Sequence, residues 1–453
     1  MSRPAAHGPV PSPRQLAWHR RQTYGFVHFG LNTFTDREWG YGDESPSLFA
    51  PSALDCRQWV AAAQEGGLTA LILTAKHHDG FCLWPTATTD HHVGRSPWRD
   101  GRGDVVRQLA EACREAGLGF GLYCSPWDRN HPHYGSSAYV EVFHAQWREL
   151  LTGYGPLCEL WFDGANGGDG FYGGAREQRS IDAATYYRFG ELFALCRELQ
   201  PQAVLFSDIG PDVRWCGNEA GFASASGWSR VRRAGEAFGR DVLQQLIDGD
   251  AEGDTWRPVE VDVSIRPGWF FHPHERPHSP DDLFAMYLAS VGRGAGLNLN
   301  LPPDRRGLIP TADRLALRGL GQRLAAFTAI DLAHGQAVEA GPTASGDPAH
   351  LTDGDPDTWW EADGCPAQVV IPLAEDGPVA GVRIEEAIAF GQRIEAFAID
   401  IRRWRGWHEV ARGSVIGAQR ILRFDQAVGD ALRLRILASR ARPVLGSIQV
   451  YAG

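Results

Sequence analysis

Between about residues 24 and 301, short apolar runs alternate with longer stretches whose apolar positions recur at helical spacing. The runs are YGFVHFG (24–30), TALILTAKHH (69–78), GFGLYCSPW (119–127), CELWFDG (158–164), AVLFSD (203–208), VDVSIRPGW (261–269) and GLNLNLPP (296–303). They are rich in β-branched or aromatic residues and bounded by Gly, Pro or Asp, which predicts strands buried on both faces. Between them, DVVRQLAEACREAG (104–117) combines helical spacing with an Asp N-cap and a terminal Gly. Residues 139–151 and 183–201 read the same way. Repeated strand–helix units predict an α/β fold, a (β/α)8-like TIM-type barrel, with a doubly wound open sheet as the alternative.

Past about residue 335 the texture changes. AGPTASGDPAHLTDGDPDTWW reads as a linker and a turn-rich loop, and QVVIPL, VAGVRIEEAI, RIEAFAIDIRR, WHEVA, ALRLRIL and SIQVY read as short strands. Turn signals at short intervals predict a C-terminal antiparallel β-sandwich. A chain of 453 residues exceeds the ~250–300 at which one hydrophobic core stops growing. Two domains are therefore expected, 1–335 and 336–453.

Composition narrows the partners. A net charge of −11 argues against a nucleic-acid groove or an anionic membrane surface, both of which need clustered Lys and Arg. No run of eighteen apolar residues occurs, and the N-terminus lacks the apolar segment of a secretory signal, so a cytoplasmic protein is expected. Eight Cys without C-x-x-C, several inside periodic apolar segments, predict reduced core thiols rather than disulfides or zinc. Sixteen Trp serve core packing in most positions and sugar stacking in a few. Oligomeric state is not encoded in any of these features.

Nearly every proposed strand ends in a residue that a core would not select: His28, His77 and His78, Tyr123 with Trp127 and Asp128, Asp163, Asp208, Arg266 with Trp269, and Asn300. In barrel enzymes the carboxyl ends of the strands carry the chemistry. Structural caps would explain one or two such residues, not a ring. Asp163 closes an apolar run just before a Gly-rich loop; a solvated helix cap is its bland alternative. Glu219, after Trp215 and a Gly-Asn turn, lies on a loop able to reach back over the mouth. Two carboxylates facing one cleft are what glycoside hydrolysis requires. Adjacent strand residues face opposite ways, so His77 and His78 would not share a metal, and sugar hydroxyls suit an imidazole better. HPHERPH (272–278) reads as a solvated loop rather than a metal site.

At these residues a family resemblance emerges. HFG (28–30), EW (38–39), KHHDGF (76–81), LWFDG (160–164), GPDVRWCGNE (210–219), EVDVSIRPGWFFHP (260–273) and LNLNLPPDRRGLI (297–309) resemble, in order, the α-L-fucosidases of glycoside hydrolase family 29. Two of them, GPDVRWCGNE and SIRPGWF, look like the branch acting on α-1,3 and α-1,4 linkages. LTDGDPDTWW resembles the discoidin-like (F5/8 type C) sandwich that often follows the barrel. The resemblance implies a retaining double displacement with Asp163 as nucleophile and Glu219 as acid/base; should Glu219 not be the acid, Glu260 or Glu38 is next in line. It sets His28, Glu38, His77, His78, Tyr123, Trp161, Arg214 and Trp269 around fucose, and it implies a fucosylated, Lewis-type oligosaccharide as substrate. On this reading Arg214 or a His keeps Asp163 ionised, and Glu219 keeps its proton in a less polar setting beside Trp215. The loop after Asp163 and residues 220–233 would form the rim of the cleft. No cofactor is implied; calcium at Asp353–Thr358 of the tail is weakly supported, because a Glu expected near the chain end is absent from GSIQVYAG.

Two other classes remain at this stage. A non-catalytic carbohydrate-binding protein would keep the barrel without turnover, which retention of Asp163 and Glu219 opposes. A metal-dependent amide or phosphate hydrolase would need separated ligand motifs, which are missing.

Overall fold

A computed structural model describes residues 3–208, 210–232, 240–404 and 406–453. Its first sheet holds eight parallel strands: β1 (Thr23–Val27), β2 (Ala70–Lys76), β3 (Gly119–Cys124), β4 (Glu159–Trp161), β5 (Val204–Phe206), β6 (Arg214–Trp215), β7 (Val259–Ser264) and β8 (Gly296–Asn300). They hydrogen-bond in the order β5-β4-β3-β2-β1-β8-β7-β6, and a bridge from Phe206 to Val213 joins the two edges into a ring. The TIM-like barrel read from the sequence is therefore the fold, and the open sheet is excluded. All seven apolar runs are strands. The eighth, β6, is only two residues long, too short to leave a periodic signal.

Local chemistry explains the elements around the barrel. Besides the short helices Leu31–Thr35 and Arg240–Asp248, the described residues form α1 (Pro13–Arg21), α2 (Cys56–Glu65), α3 (Val105–Ala116), α4 (Ser137–Gly153), α5 (Phe189–Leu199), α6 (Pro280–Ser290) and α7 (Thr311–Phe327). The Asp104 carboxyl caps α3 by accepting from Arg107 N, and Gly117 ends it in the left-handed region at φ +72. Around the outside, α2 packs on α3 and α7, α4 on α5, and α6 on α7. Helix α5 starts later than its periodicity predicts. The hydroxyls of Tyr186 and Tyr187 are held by Gly135 N and Tyr134 Oη at 2.7 Å each, which keeps that stretch in turns. Trp147 of α4 lies 4.6 Å from the ring of Phe162, the residue before Asp163. Removing such a buried ring costs about 3–5 kcal/mol, and here it would also loosen the strand end that carries Asp163.

The second sheet is antiparallel: β9 (Thr343–Gly346), β10 (Trp360–Ala362), β11 (Ala367–Glu386), β12 (Ile394–Arg403), β13 (Gly406–Gly413), β14 (Arg420–Ser439) and β15 (Val444–Tyr451), in the order β9-β10-β15-β11-β14-β12-β13. Register breaks at Pro372/Gly377 and Val379/Gly381 let the long β11–β14 ladder bend over a core of Trp360, Ile371, Val382, Phe397 and Leu434. All eight Cys are free thiols, six of them buried, as the sequence implied. Among the described residues no helix is long and apolar enough to cross a membrane.

Candidate active site

Strand register brings the site together at the carboxyl end of the barrel. Phe162 N donates to Phe206 O (3.1 Å), extending the β4–β5 ladder until it releases Asp163 at the mouth. Tyr123 Oη donates to Asp163 Oδ2 (2.8 Å) and Ala165 N to Oδ1 (2.7 Å), so both oxygens are held and the carboxyl cannot rotate freely. His78 Nε2 lies 3.8 Å from Oδ2. Burial, with the charge of Asp163 adding to it, pushes the Tyr123 hydroxyl well above its ordinary pKa, so it remains a donor.

The histidines present acceptors to the cleft. Asn300 Nδ2 donates to Ser264 Oγ (2.9 Å) and to Trp269 O (2.7 Å), which orients its Oδ1 toward His28 Nδ1 at 2.8 Å. Nδ1 of His28 then carries the proton and Nε2 accepts. Burial lowers its pKa to about 3, so the ring is neutral at any working pH. His78 Nδ1 meets Ser125 Oγ at 2.7 Å, while that hydroxyl donates to Trp127 O at 2.8 Å; the same logic leaves His78 Nε2 as an acceptor. Strand alternation does not separate His77 from His78. Strand β2 ends at Lys76, both histidines lie beyond it, and their rings sit 4.1 Å apart in the same site. The buried Nδ1 of His77 has no hydrogen-bond partner among the described residues.

Aromatic rings wall the cleft. Trp269 lies 5.1 Å from His28, Phe270 5.0 Å from His77, and Trp127 5.3 Å from His78. The half-exposed Trp39 stands edge-on to both His78 and Trp127. Trp161 stacks on Phe206 at 4.1 Å and turns its N–H down to Glu260 (2.8 Å), so it is a wall rather than a donor.

Glu38 and Glu219 act through the loop after β7. Glu38 accepts from Trp269 N (3.0 Å), Phe270 N (3.1 Å) and His272 Nε2 (2.7 Å), and Asp36 takes the other nitrogen of His272 at 2.7 Å. The clamped indole of Trp269 donates to Glu219 Oε2 at 3.2 Å. Glu219 is exposed, with this indole as its partner, so the expected apolar setting beside Trp215 is not found in the free protein. Burial works to lower the pKa of His272, but the hydrogen bonds it donates to Asp36 and Glu38 outweigh it and raise the pKa above its ordinary value. A raised His pKa stabilises the clamp fully below about pH 6.5, and that contribution is lost as pH rises through the folded value. Losing a charge-assisted clamp of this type costs about 1.5–3 kcal/mol. His272→Ala is therefore expected to raise KM about tenfold or more and to remove the pH dependence of Trp quenching by acrylamide. An unchanged KM would show that the clamp does not organise the cleft.

Other expectations need correction. Arg214 does not face the site or Asp163. It is fully buried, with Nε on Leu246 O (3.1 Å), Nη2 on Trp228 O (2.9 Å) and Nη1 on Arg257 O, and burial lowers its pKa to about 9. Three carbonyls outside the barrel take its donors, so it braces the helix Arg240–Asp248 and the segments at Trp228 and Arg257. Of the strand-end ring, Asp128 pairs with buried Lys76 (3.3 Å) and Arg266 with buried Asp313 (2.7 Å); both are internal ties. Glu260 cannot serve as a reserve acid. It lies beneath Trp161, accepting from Tyr24 Oη (2.5 Å) and Asn298 Nδ2 (3.0 Å). His272 of HPHERPH is a clamp rather than a solvated residue.

In the tail loop, Asp353 accepts from Asp355 N (2.8 Å) and Thr358 Oγ1 (3.1 Å), and Asp357 pairs with Arg20 (2.5 Å). No group of three or more His, Cys, Asp or Glu side chains placed to hold a metal ion occurs among the described residues. Of the rim, the loop after Asp163 lines a 630 Å³ cavity that Asp163 shares; Arg233 lies outside the described residues. The sequence reading missed Trp39, Ser125, Phe270 and His272. Trp39 had a signal, being an aromatic next to Glu38 in the EW motif. The others are found only through long-range contacts.

A TIM-like barrel that gathers a fixed carboxylate, a second carboxylate and neutral histidines within aromatic walls at its carboxyl end defines a glycoside hydrolase. The family model for alpha-L-fucosidase matches residues 8–328. The chain is 39% identical to alpha-L-fucosidase 1 of Arabidopsis thaliana, covering 98% of this chain and 87% of the relative. Among solved structures it resembles a glycoside hydrolase 29 family member from an unknown rumen bacterium (TM-score 0.89, 40% identity, 99% of this chain and 78% of that one). It also resembles a Ruminococcus gnavus GH29 fucosidase in complex with fucose (TM-score 0.89, 29% identity, 100% and 97% covered). The chain belongs to glycoside hydrolase family 29, the α-L-fucosidases, and is an α-L-fucosidase.

Proposed function

We propose that the enzyme releases α-1,3- and α-1,4-linked L-fucose from branched, Lewis-type oligosaccharides by a retaining double displacement. The observation that carries this reading is the pair of carboxylates at the mouth: Asp163, held at both oxygens, and Glu219, held on the cleft by Trp269. In the first step the Asp163 carboxylate attacks the anomeric carbon, the glycosidic C–O bond breaks, and Glu219 gives its proton to the departing oxygen. In the second, water attacks the same carbon, its proton passes to Glu219, and the ester electron pair returns to Asp163. The acceptors His28 Nε2 and His78 Nε2 suit sugar hydroxyls, and the aromatic walls suit the C5 methyl of fucose. A fucose complex of the Ruminococcus gnavus relative supports placing the sugar in the equivalent pocket. The chemistry needs carboxylates and no cofactor. Catalysis is assigned to residues 1–335, with 336–453 as an appended discoidin-like sandwich.

The linkage reading rests on GPDVRWCGNE and SIRPGWF. In a Lewis-type glycan the fucosylated residue also carries galactose, and binding energy from that remote group can be expressed as higher kcat/KM. Lewis a and Lewis x trisaccharides are expected to be cleaved about tenfold or more faster than α-1,2-fucosyllactose, the gain of roughly 1.4 kcal/mol that one good contact supplies. Comparing kcat/KM for Lewis a, α-1,2-fucosyllactose and the fucosylated disaccharide without galactose decides it. A rate indifferent to galactose, or a preference for the α-1,2 substrate, sinks the branch assignment and leaves the fucosidase untouched.

A further inference from the structure

Asp208 stands beside Asp163 for a reason of register. Trp161 of β4 and Phe206 of β5 are Cα partners, and each strand releases an aspartate two residues later. Asp163 and Asp208 thus leave neighbouring strands side by side, and both line the 630 Å³ cavity. Contact is close enough to require glycine between them. A Cβ on Gly164 would lie 2.0 Å from Asp208 Oδ2 and 2.7 Å from Oδ1, so the Asp208 carboxyl packs directly on the backbone that follows Asp163. The charged groups around it are Asp163 from β4 and Arg257 on the cavity wall; the facing segment of α5 contributes Phe189 and Phe193. Burial, with the nearby charge of Asp163 adding to it, raises the Asp208 pKa to about 6.

We infer that Asp208 is a positioning residue for the second half of the reaction, its proton allowing the Asp163 carboxylate to leave the sugar. The proposal rests on the retaining reading given above. While Asp163 is esterified it carries no charge, and Asp208 can ionise without opposition. When water attacks the anomeric carbon, the C–O bond of the ester breaks and the electron pair returns to Asp163. If Asp208 is ionised at that moment, a second negative charge develops in the same partly desolvated cavity, and the like-charge repulsion raises the barrier. If Asp208 holds its proton, Asp163 carries the only negative charge of the two aspartates. No atom is transferred between the two aspartates. The proton of Asp208 comes from solvent and returns to it.

The test is a pH profile of kcat on an aryl fucoside with a strongly acidic phenol. Such a leaving group departs without help from Glu219, which makes breakdown of the fucosyl-enzyme limiting. The wild-type enzyme is expected to lose activity as pH rises, with a midpoint above the ordinary carboxylate value because Asp208 stays buried, but below about 6 because esterified Asp163 no longer adds its charge. Asp208→Asn, neutral at every pH, is expected to stay within about threefold of wild type near pH 5 and to exceed it about tenfold at pH 8. Asp208→Glu, which restores a titrating carboxyl, should recover the alkaline decline. A uniform loss across the pH range in Asp208→Asn, or an alkaline limb unchanged from wild type, overturns the proposal. Should Asp208→Asn fail to fold, a pH-independent kcat for Asp208→Glu would overturn it as well. Azide rescue of an Asp163 variant tests the nucleophile separately, so failure of this inference is distinguishable from failure of the retaining mechanism.

Discussion

Replacing Asp163 by Ala is expected to lower turnover by at least about 10³-fold, the scale on which loss of a nucleophile acts. That is about 4 kcal/mol of transition-state stabilisation. The fold should survive, because Asp163 is partly exposed and makes two hydrogen bonds, with Tyr123 and Ala165, rather than a core contact. Azide is small enough to enter the space left by the carboxylate, and it attacks from the same face. Partial recovery of rate with formation of β-fucosyl azide is therefore expected, read by NMR of the product. Near-normal turnover in the variant would end the assignment. Recovery yielding the α-azide would instead show that the nucleophile is still present and that Asp163 acts as the acid/base.

The second large effect concerns Glu219. A positioned proton donor contributes about 10²–10⁴-fold, and most of that appears when the leaving oxygen is a poor one. Glu219→Ala should therefore lose about 10²-fold or more on a Lewis trisaccharide and far less on an activated aryl fucoside. Glu219 is exposed in the free protein and meets the indole of Trp269. Its donor role therefore requires the oligosaccharide to cover it, and in the complex it has to come within about 5–5.5 Å of Asp163. An aryl group covers less of the loop than a trisaccharide, which sharpens the contrast. Equal losses on both substrates would remove Glu219 from the mechanism. Because Glu260 is buried beneath Trp161, Glu38 would be next to test, and its loss should also release the Trp269 loop.

Much of the barrel was legible because burial imposes a local period. The run ALILTAK of β2 is buried at every position, and a continuous apolar run flanked by turn residues states that directly. Asp163 was legible for a related reason: a carboxylate that ends such a run must emerge at the mouth. Helix α3 announced both of its ends through Asp104 and Gly117. Strand β6 did not, because two residues carry no period and its place depends on pairing with Val259 and Glu260.

The sequence by itself determined the fold class, the family and the carboxylate at the end of β4. Tertiary structure alone decided how the other candidates are used. Arg214 looked like a charge partner for Asp163, yet its guanidinium is taken by carbonyls 14, 32 and 43 residues away. Glu38, expected around the sugar, also holds His272 across 234 residues of chain and, through Trp269, orients Glu219. Asp208 gained its meaning from standing one strand over from Asp163 in register. The reason is physical. Backbone periodicity and end caps are read between residues three or four apart, so sequence records them. The direction of a polar side chain at the mouth is set by donors and acceptors from distant strands, and no local pattern encodes which of them will arrive.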